Sequence, residues 1–503
     1  MTSAEFDYIV VGAGSAGSVL AARLSEDAAA RVLLLEAGDA EPLPLMAVPP
    51  AWPALEATTA NWGGESVPQA AAQGRRVSVP HGRALGGSST INAMSFTRGH
   101  PSSYDRWATK GWTYADLLPY FRRNENLSGV ADRDPAVRGM HGPLRVGPAV
   151  TRHPLSTAFL AAVAETGRPL VRDFSAGLDE GFGWADLSIA DGRRSDAATA
   201  YLRPAADRSN LDIRTGTLVH RLLFTGERCT GVEYRTGGGP VVTATAVREV
   251  VVSAGAIGSP QLLMLSGIGP AADLRRHGIP VIADVPAVGT GLQDHPLSGI
   301  VYEASRTVPA AVNNHGEVQG AVRGTTGLDG PDLQILMIDV PLRREGLAGP
   351  DLDRGFTIGV SVLNPRSRGT VRLADARPGS TPLIDPAYYT APEDLDTMVR
   401  GLRIARELGA ADALKDWRSR EALPGDRDLH DYARDNVRPY NHFAGTCRMG
   451  DGHDCVVDGE LRVRGVTGLR IVDASVMPVL PSANTNATVY AIAERAADLM
   501  AGA

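Results

Sequence analysis

The stretch DYIVVGAGSAGSVLAARLSEDAAARVLLLE, residues 7–36, decides the fold of this chain. Its β-branched apolar run at residues 8–11 predicts a short buried strand, and the residues from Ser15 to Ser25 predict a helix. A second apolar strand is predicted at residues 32–35. A strand, a glycine-rich turn, a helix and a further strand are typical of the unit that opens a Rossmann-like α/β sheet.

Three glycines in this stretch have the GxGxxG spacing that is typical of dinucleotide-binding sites: Gly12, Gly14 and Gly17. The first permits a tight turn, the second lets a pyrophosphate approach the backbone, and the third lets helix and strand pack closely. Ser15 and Ala16 begin the helix, whose free N–H groups can hold phosphates. Glu36 ends the second strand, where its carboxylate can accept hydrogen bonds from ribose hydroxyls. The pattern predicts a dinucleotide site and leaves the dinucleotide open.

The composition excludes several classes of protein. The chain has 503 residues, which suggests about two domains. Its net charge of −7 gives no basic surface for nucleic acid or anionic lipid. Its 3 cysteines make neither a disulfide framework nor a metal cluster with recognisable spacing, so we expect no metal site and a reducing compartment. Glu5 and Asp7 precede the first basic residue, Arg23, which argues against a signal peptide. A cytoplasmic location is expected.

One charge-free stretch, residues 250–272, is a candidate for a membrane-spanning segment. Pro260, Gln261 and several glycines interrupt it, which favours a buried strand, turn and helix over a span. We therefore expect no membrane span.

A second glycine-rich stretch, GRALGGSSTINAMSFTRGHPSSYD, covers residues 82–105. The adjacent Gly86 and Gly87 predict a loop or helix start that brings the backbone close to a ligand, with the following hydroxyls as donors. A serine-capped helix without a ligand is the alternative, and this stretch alone leaves it open.

The remaining pattern predicts a discontinuous first domain and a second, mostly antiparallel one. Strands are predicted at residues 211–215, 218–224, 232–234, 241–247 and 250–253, and helices at 111–124 and 392–408. Residues 469–472 predict a last strand, and Asn484 or Asn486 is expected to cap a helix over 487–500. The first domain is predicted to comprise residues 1–150, 201–297 and 432–503, and the second residues 151–200 and 298–431.

Five separated stretches together resemble the glucose–methanol–choline (GMC) family of FAD-dependent oxidoreductases. Two are the glycine-rich stretches above. The others are GAIGSPQLLMLSGIG at residues 255–269, VPAVGTGLQDH at 285–295, and NHFAGTCRMG at 441–450 with VDASVMPVLPSANTNATVYAIAE at 472–494. They occur in the family's order over nearly the whole chain, and their conjunction is highly specific.

The resemblance implies an α/β (mixed α+β) fold, with a Rossmann-like FAD-binding domain and a mostly antiparallel substrate domain. It implies FAD at the opening stretch, with Glu36 on the adenosine ribose and Val219 near the adenine. It places Asp473 near the ribityl or pyrophosphate and three further residues close to the flavin: Ser88, Asn92 and Ala93. The histidine that attaches FAD covalently in some members falls on Ile91, so FAD is expected to be non-covalent.

The resemblance also implies oxidation of a primary aliphatic or aryl alcohol to an aldehyde, with hydride transfer to flavin N5 and oxygen or another electron acceptor. Such a reaction needs a base for the hydroxyl proton and a donor for the developing alkoxide. His442 matches the family's catalytic histidine, and Asn484 falls on its second position, which holds His or Asn. Taken alone, His442 would be a structural or surface histidine, and Asn484 only a helix cap.

One position departs from the family's pattern, and two other functions are alternatives to alcohol oxidation. The residue before the catalytic histidine is commonly aromatic in the family, but here it is Asn441. No cluster of acids and aromatics indicates a quaternary ammonium site. His295 has no partner pattern and is predicted to be structural. An FAD-containing lyase or decarboxylase on the same scaffold is the alternative function. A nicotinamide-linked dehydrogenase is a second alternative, which only the GxGxxG spacing and the acid of residues 7–36 favour.

Overall fold

A computed structural model describes residues 4–177, 180–344 and 346–502 of the chain. Two seven-stranded sheets dominate it. The first sheet contains the opening stretch, and the second is built mainly from residues 296–423. This mixed α/β architecture has the predicted fold class. The predicted domain boundaries stay a prediction.

The first sheet is parallel at its centre and antiparallel at one side. Its strands, from one edge inward, are Leu211–Arg214, Val32–Leu35, Ala4–Val11 and Val241–Val252, all parallel. Beyond them Arg228–Thr236 and Thr217–Thr225 form the antiparallel ribbon, and Leu469–Ile471 pairs parallel with residues 250–252. The predicted strands at 241–247 and 250–253 are therefore one strand, which joins the ribbon to the parallel core.

The opening unit folds as its sequence pattern predicts. Residues 32–35 are all buried, as expected for a central parallel strand with both faces covered. The helix spans Ser15–Leu24, with Ser25 as its C-cap. Gly17 lies on the inner side of this helix, where a Cβ would come within 1.8 Å of the Gly12 carbonyl oxygen. The close packing of helix and strand therefore requires glycine at this position.

The second sheet is antiparallel throughout. Its strand order is Arg418–Leu423, Pro296–Ala304, Gly355–Val362, Leu333–Ile338, Val318–Val322 and Gly181–Trp184. A short strand, Arg438–Pro439, pairs with residues 296–297 and leads the chain into the site described below. The long helix Pro392–Ala410 packs against the sheet through its buried apolar face.

The last segment returns to the first sheet. After Leu469–Ile471, the helix Asn486–Ala501 packs against Ser15–Leu24 and Tyr114–Asn124. The Ser15 hydroxyl donates to Asn486 Oδ1 at 2.8 Å, so the N-termini of the first and last helices are tied together. Other helices are Pro101–Asp105, Pro154–Glu165, Gly255–Leu265, Ala271–Arg276 and Leu429–Asp435.

Two local predictions were wrong. The last helix is not capped by Asn484 or Asn486: its N-cap is Thr485, with no side-chain cap hydrogen bond. The side chains of both asparagines are engaged elsewhere. The helix predicted from residue 111 begins at Tyr114, because Thr113 and Asp116 form a capping box there. No helix in the described part of the chain is long and apolar enough to cross a membrane.

Candidate active site

The turn after the first strand leaves an open cradle. Gly12 has φ +96°, and a Cβ there would lie 2.5 Å from the Ser253 carbonyl oxygen. At Gly14, by contrast, a Cβ would meet only the Gly87 Cα, at 4.0 Å. No side chain caps the helix that begins at Ser15. Its free N–H groups therefore face a space that suits a phosphate group.

The two glycine-rich stretches meet backbone to backbone. The Gly86 N–H donates to the Ala13 carbonyl at 2.7 Å. Gly87 has φ +54°, and a Cβ there would lie 2.6 Å from Gly14 Cα. Residues 87–90 form a short 3-10 turn directly after this contact. The second stretch therefore forms part of the dinucleotide cradle, which favours the ligand-binding interpretation over an isolated capped helix.

Glu36 is buried at the end of its strand. Its Oε2 accepts from the Ala13 N–H and its Oε1 from the Gly38 N–H, both at 2.8 Å. Burial raises the pKa of Glu36 to about 7, against the effect of these hydrogen bonds. Each carboxylate oxygen keeps a lone pair for a further donor such as a ribose hydroxyl.

One cavity of about 820 Å³ runs from this cradle to the second sheet. It is lined by twelve of the predicted site residues: Gly12, Gly14, Ser15, Ala16, Glu36, Ser88, Asn92, Ala93, Val219, Asp473, His442 and Asn484. Gly17 is not among the lining residues, because it faces the strand behind the cradle. The structure therefore brings the predicted cofactor and catalytic residues to one continuous space.

Neighbouring residues fix the wall of this cavity. Asn92 Oδ1 accepts from the buried Arg194 guanidinium at 2.8 Å, and the Ala93 carbonyl accepts from Asn314 Nδ2 at 2.6 Å. Asp473 Oδ2 accepts from the Gly255 N–H at 2.9 Å and from the Ser259 hydroxyl at 2.5 Å. Asp473 thus connects the last strand to the start of the Gly255–Leu265 helix.

His442 and Asn484 meet at the far end of the cavity. His442 Nε2 lies 3.2 Å from Asn484 Nδ2, and both residues are buried. On the other side of the ring, His442 Nδ1 lies 2.8 Å from His295 Nδ1. His295, which was predicted to be structural, therefore contacts His442 directly, and its role stays a prediction.

Asp294 holds the loop that carries His442. Its carboxylate accepts from the backbone N–H groups of Tyr440, at 3.1 Å, and of His442, at 2.6 Å. Between them Asn441 is exposed, with φ +63°. Its backbone conformation turns Tyr440 inward, so that the Tyr440 ring lies 4.2 Å from the His442 ring. The residue before His442 is the polar Asn441, but the aromatic ring of Tyr440 still packs against the His442 ring.

Burial sets the protonation states at this end. Burial and the neighbouring His295 lower the pKa of His442 well below its ordinary value. Burial lowers the pKa of His295 to about 3 and raises that of Asp294 to about 7. His442 is therefore a neutral imidazole at physiological pH, which is the state that can accept a proton.

Comparisons with known proteins identify relatives of this chain. Sequence models of the GMC oxidoreductase family match residues 6–297 and 365–493. The chain is 40% identical to the mitochondrial choline dehydrogenase of Homo sapiens, over 99% of this chain and 90% of that protein. It is 37% identical to the oxygen-dependent choline dehydrogenase of Brucella anthropi, over 99% and 96%. The crystal structure of pyridoxine 4-oxidase from Mesorbium loti superposes with a TM-score of 0.93, at 36% identity and 98% coverage of each chain.

This chain belongs to the GMC oxidoreductase family.

GMC oxidoreductases are FAD-dependent, and this member is an oxidoreductase that acts on alcohol groups. The residues present fit FAD, because the open space at Gly14, the uncapped helix and the buried Glu36 carboxylate suit its AMP half. The relatives named above are oxidoreductases, so the lyase or decarboxylase alternative gains no support. The nicotinamide-linked hypothesis is wrong, because the family match covers both ends of the chain.

Sequence reasoning missed several side chains of this GMC site. Four residues from other parts of the chain contact His442 or Asn484: His295, Tyr440, Thr97 and Gln334. His295 carried a usable signal, since it directly follows the LQD residues of the stretch at 285–295, and Thr97 lies in the second glycine-rich stretch. No motif marks Tyr440 or Gln334. Among the described residues, no group of three His, Cys, Asp or Glu side chains could hold a metal ion.

Proposed function

We propose that His442 is the base of this alcohol oxidoreductase and that Asn484 binds the substrate oxygen. The observation that carries this proposal is the facing pair of His442 Nε2 and Asn484 Nδ2, 3.2 Å apart in the cavity wall. A primary alcohol whose oxygen lies beside both atoms, within reach of each, donates its hydroxyl proton to Nε2 and accepts an N–H from the amide. FAD, when bound, supplies the acceptor for the hydride that leaves the carbinol carbon. The product is an aldehyde.

The test replaces the base and keeps the cofactor. His442→Ala is expected to lower kcat by roughly 10²- to 10⁴-fold, the usual contribution of a positioned general base, with an unchanged flavin content. His453→Ala changes an exposed histidine and serves as the matched control. Full turnover in His442→Ala with any accepted alcohol would overturn the proposal.

We propose that the remaining predicted residues hold FAD without a covalent bond to histidine. The position of the attaching histidine is occupied by Ile91, which lines the cavity and is buried. Acid precipitation of the yellow protein is expected to leave the flavin in the supernatant. Flavin that stays with the pelleted polypeptide would contradict this.

We propose an uncharged alcohol rather than choline as the preferred substrate. Aliphatic side chains from the second sheet line the cavity: Leu297, Leu336 and Ile338. Among the described lining residues the acids are Glu36, Asp473 and Glu56. Glu36 and Asp473 accept backbone hydrogen bonds, and the charge of Glu56 is opposed by Arg438. No unopposed carboxylate among these residues therefore awaits a quaternary ammonium group.

A substrate panel tests this preference. With a dye as electron acceptor, kcat/KM for benzyl alcohol or 1-hexanol is expected to exceed that for choline by at least about tenfold, since burying an uncompensated cation is costly. A higher kcat/KM for choline would overturn the proposal. The same panel run with oxygen and with dye identifies the electron acceptor.

We also propose that the two sheets mark the two predicted domains and that the enzyme is cytoplasmic. The division is supported by two separate large cores, one against each sheet. The location is supported by the cysteines, all three of which are free and buried. Limited proteolysis with cleavage inside a predicted domain, or cell fractionation with activity outside the cytoplasm, would contradict these assignments.

A further inference from the structure

The amide of Asn484 is held from two sides. Its Oδ1 accepts from the Thr97 hydroxyl and from Gln334 Nε2, each at 3.3 Å. Gln334 Nε2 also donates to Gln319 Oε1 at 2.7 Å. All four side chains are buried, at 2% to 7% exposure. Thr97 comes from the second glycine-rich stretch, whereas Gln334 and Gln319 come from neighbouring strands of the second sheet.

These donors determine which end of the amide faces the base. Because Oδ1 is occupied by two donors, Nδ2 is the atom that points to His442 Nε2, at 3.2 Å. The same amide interacts with the Tyr440 hydroxyl and opposes the rise of the Tyr440 pKa to about 12 that burial causes. An amide nitrogen can only donate, so Nε2 of His442 must present its lone pair.

The contact on the other side of the ring is compatible with this tautomer. With a lone pair on Nε2, neutral His442 carries its proton on Nδ1 and donates to His295 Nδ1, 2.8 Å away. The Asn484 amide is therefore the group that selects this tautomer of His442.

We propose that Gln334 and Thr97 are positioning residues that fix the Asn484 amide and thereby hold the lone pair of His442 on Nε2. Neither residue takes part in the chemistry. If the amide turned over, its oxygen would face Nε2 and favour the tautomer protonated there, which cannot accept the alcohol proton. This inference rests on the proposed role of His442 and names the side chains that make that role possible.

Thr97 offers the cleanest test, because its hydroxyl can be removed at nearly constant shape. Thr97→Val is expected to lower kcat about fivefold to tenfold through loss of one of the two donors, and Thr97→Ser is expected to restore it. Thr397→Val makes the same change at a buried threonine of the Pro392–Ala410 helix and is expected to leave kcat unchanged. Wild-type kcat in Thr97→Val would count against the proposal.

Gln334 adds a readout that a packing role would not change. Gln334→Glu can donate to Asn484 Oδ1 only while its carboxyl group is protonated. Its kcat/KM is expected to fall at least tenfold as pH rises through the pKa of that carboxyl, and Gln334→Leu is expected to show a similar loss at every pH. The titratable side chains around the amide are His442, His295 and Tyr440, which the wild type shares. A Gln334→Glu profile parallel to that of the wild type would overturn the proposal.

The same assay includes His442→Ala, so that two failures can be told apart. Turnover that survives in His442→Ala rejects the proposed function and this inference with it. If His442→Ala loses turnover while the Thr97 and Gln334 variants keep the wild-type kcat and pH profiles, only the inference about positioning is rejected. All rates are divided by the bound flavin, and each variant is used as the holoenzyme.

Discussion

At the scale of single residues, the proposed base, His442, is a histidine that stays neutral. Its neighbours are a second imidazole, an amide and a phenol ring, and no carboxylate contacts the ring in the described structure. Asp294, which contacts the same loop, accepts from the backbone N–H of His442 instead. A neutral environment of this kind destabilises the imidazolium, so the proton is accepted at Nε2 and readily released again.

The pH dependence follows from the depressed pKa of His442. A base is active when unprotonated, and lowering its pKa moves the loss of activity to lower pH. We therefore expect kcat/KM to stay level as pH falls through 6.5, the ordinary value for histidine. His295→Asn keeps a hydrogen-bond acceptor beside Nδ1 of His442. It removes the second imidazole, which is one of the two causes that lower the pKa of His442.

In His295→Asn the acid limb of kcat/KM is expected to move up toward pH 6.5, but not to reach it, because burial remains the larger cause. Initial rates between pH 5 and 9, taken at low substrate concentration, measure both profiles. A wild-type limb centred at 6.5, or identical limbs in the two proteins, would contradict this expectation.

Single residues also show how far the sequence could be interpreted. The place of His442 and Asn484 in the cavity wall could be predicted because each lies in a long motif of its own, whereas their catalytic roles stay a prediction. The partnership of His442 with His295 was not, since these residues lie 147 positions apart and meet only where two loops converge. Gln334 is the one polar residue of the strand Leu333–Ile338, but its place in the strand alone does not show that it faces Asn484.

At the scale of elements, the glycine turn and its helix form a unit whose three glycines do different work. Gly17 is needed for packing, whereas Gly14 leaves open space in the cavity wall that suits a ligand. These roles were predictable because the GxGxxG spacing reflects a local backbone geometry. The contact of Gly14 with Gly87 was not predictable, since it joins two loops that are distant in sequence.

Alanine at Gly14 is expected to weaken FAD binding, whereas alanine at Gly17 is expected to prevent folding. Gly14 has φ −70° and open space around a Cβ, so Gly14→Ala should fold with a Tm close to that of the wild-type apoprotein. Its methyl group occupies the cradle, so we expect FAD affinity to fall at least about tenfold, or ~1.4 kcal/mol. Gly17→Ala places a Cβ 1.8 Å from a carbonyl oxygen and should yield little folded protein.

Circular dichroism of the apoprotein and titration with FAD measure these two properties separately. Purified Gly14→Ala with a full complement of flavin would show that the space at Gly14 is not used by the cofactor.

At the scale of the whole molecule, the first and last helices are joined by a buried carboxylate. Glu494 is fully buried and accepts from Arg23 Nε and Nη2 and from the Tyr201 hydroxyl, all at 2.9 Å. The buried ion pair of Glu494 with Arg23 is costly to break, because removal of one partner leaves the other polar groups buried and unsatisfied.

Glu494→Ala is expected to lower the free energy of unfolding by about 3 kcal/mol, the lower end of the usual range because Arg23 is 20% exposed. Glu494→Gln keeps the volume and one oxygen acceptor, and should lose clearly less. Urea unfolding of the two holoenzymes beside the wild type measures the difference. A loss below 1 kcal/mol in Glu494→Ala would show that the contact contributes little.

The return of the last segment to the first sheet also governs when the protein can acquire its cofactor during synthesis. The opening strand, helix and Glu36 leave the ribosome early, but Asp473, Asn484 and the helix from Asn486 complete the same cavity. At about 5 to 20 residues per second, the 450 residues between Glu36 and Asn486 take roughly 20 to 90 seconds to translate. During that interval the half-built nucleotide site lacks these residues, so the complete FAD site forms only when translation is nearly finished.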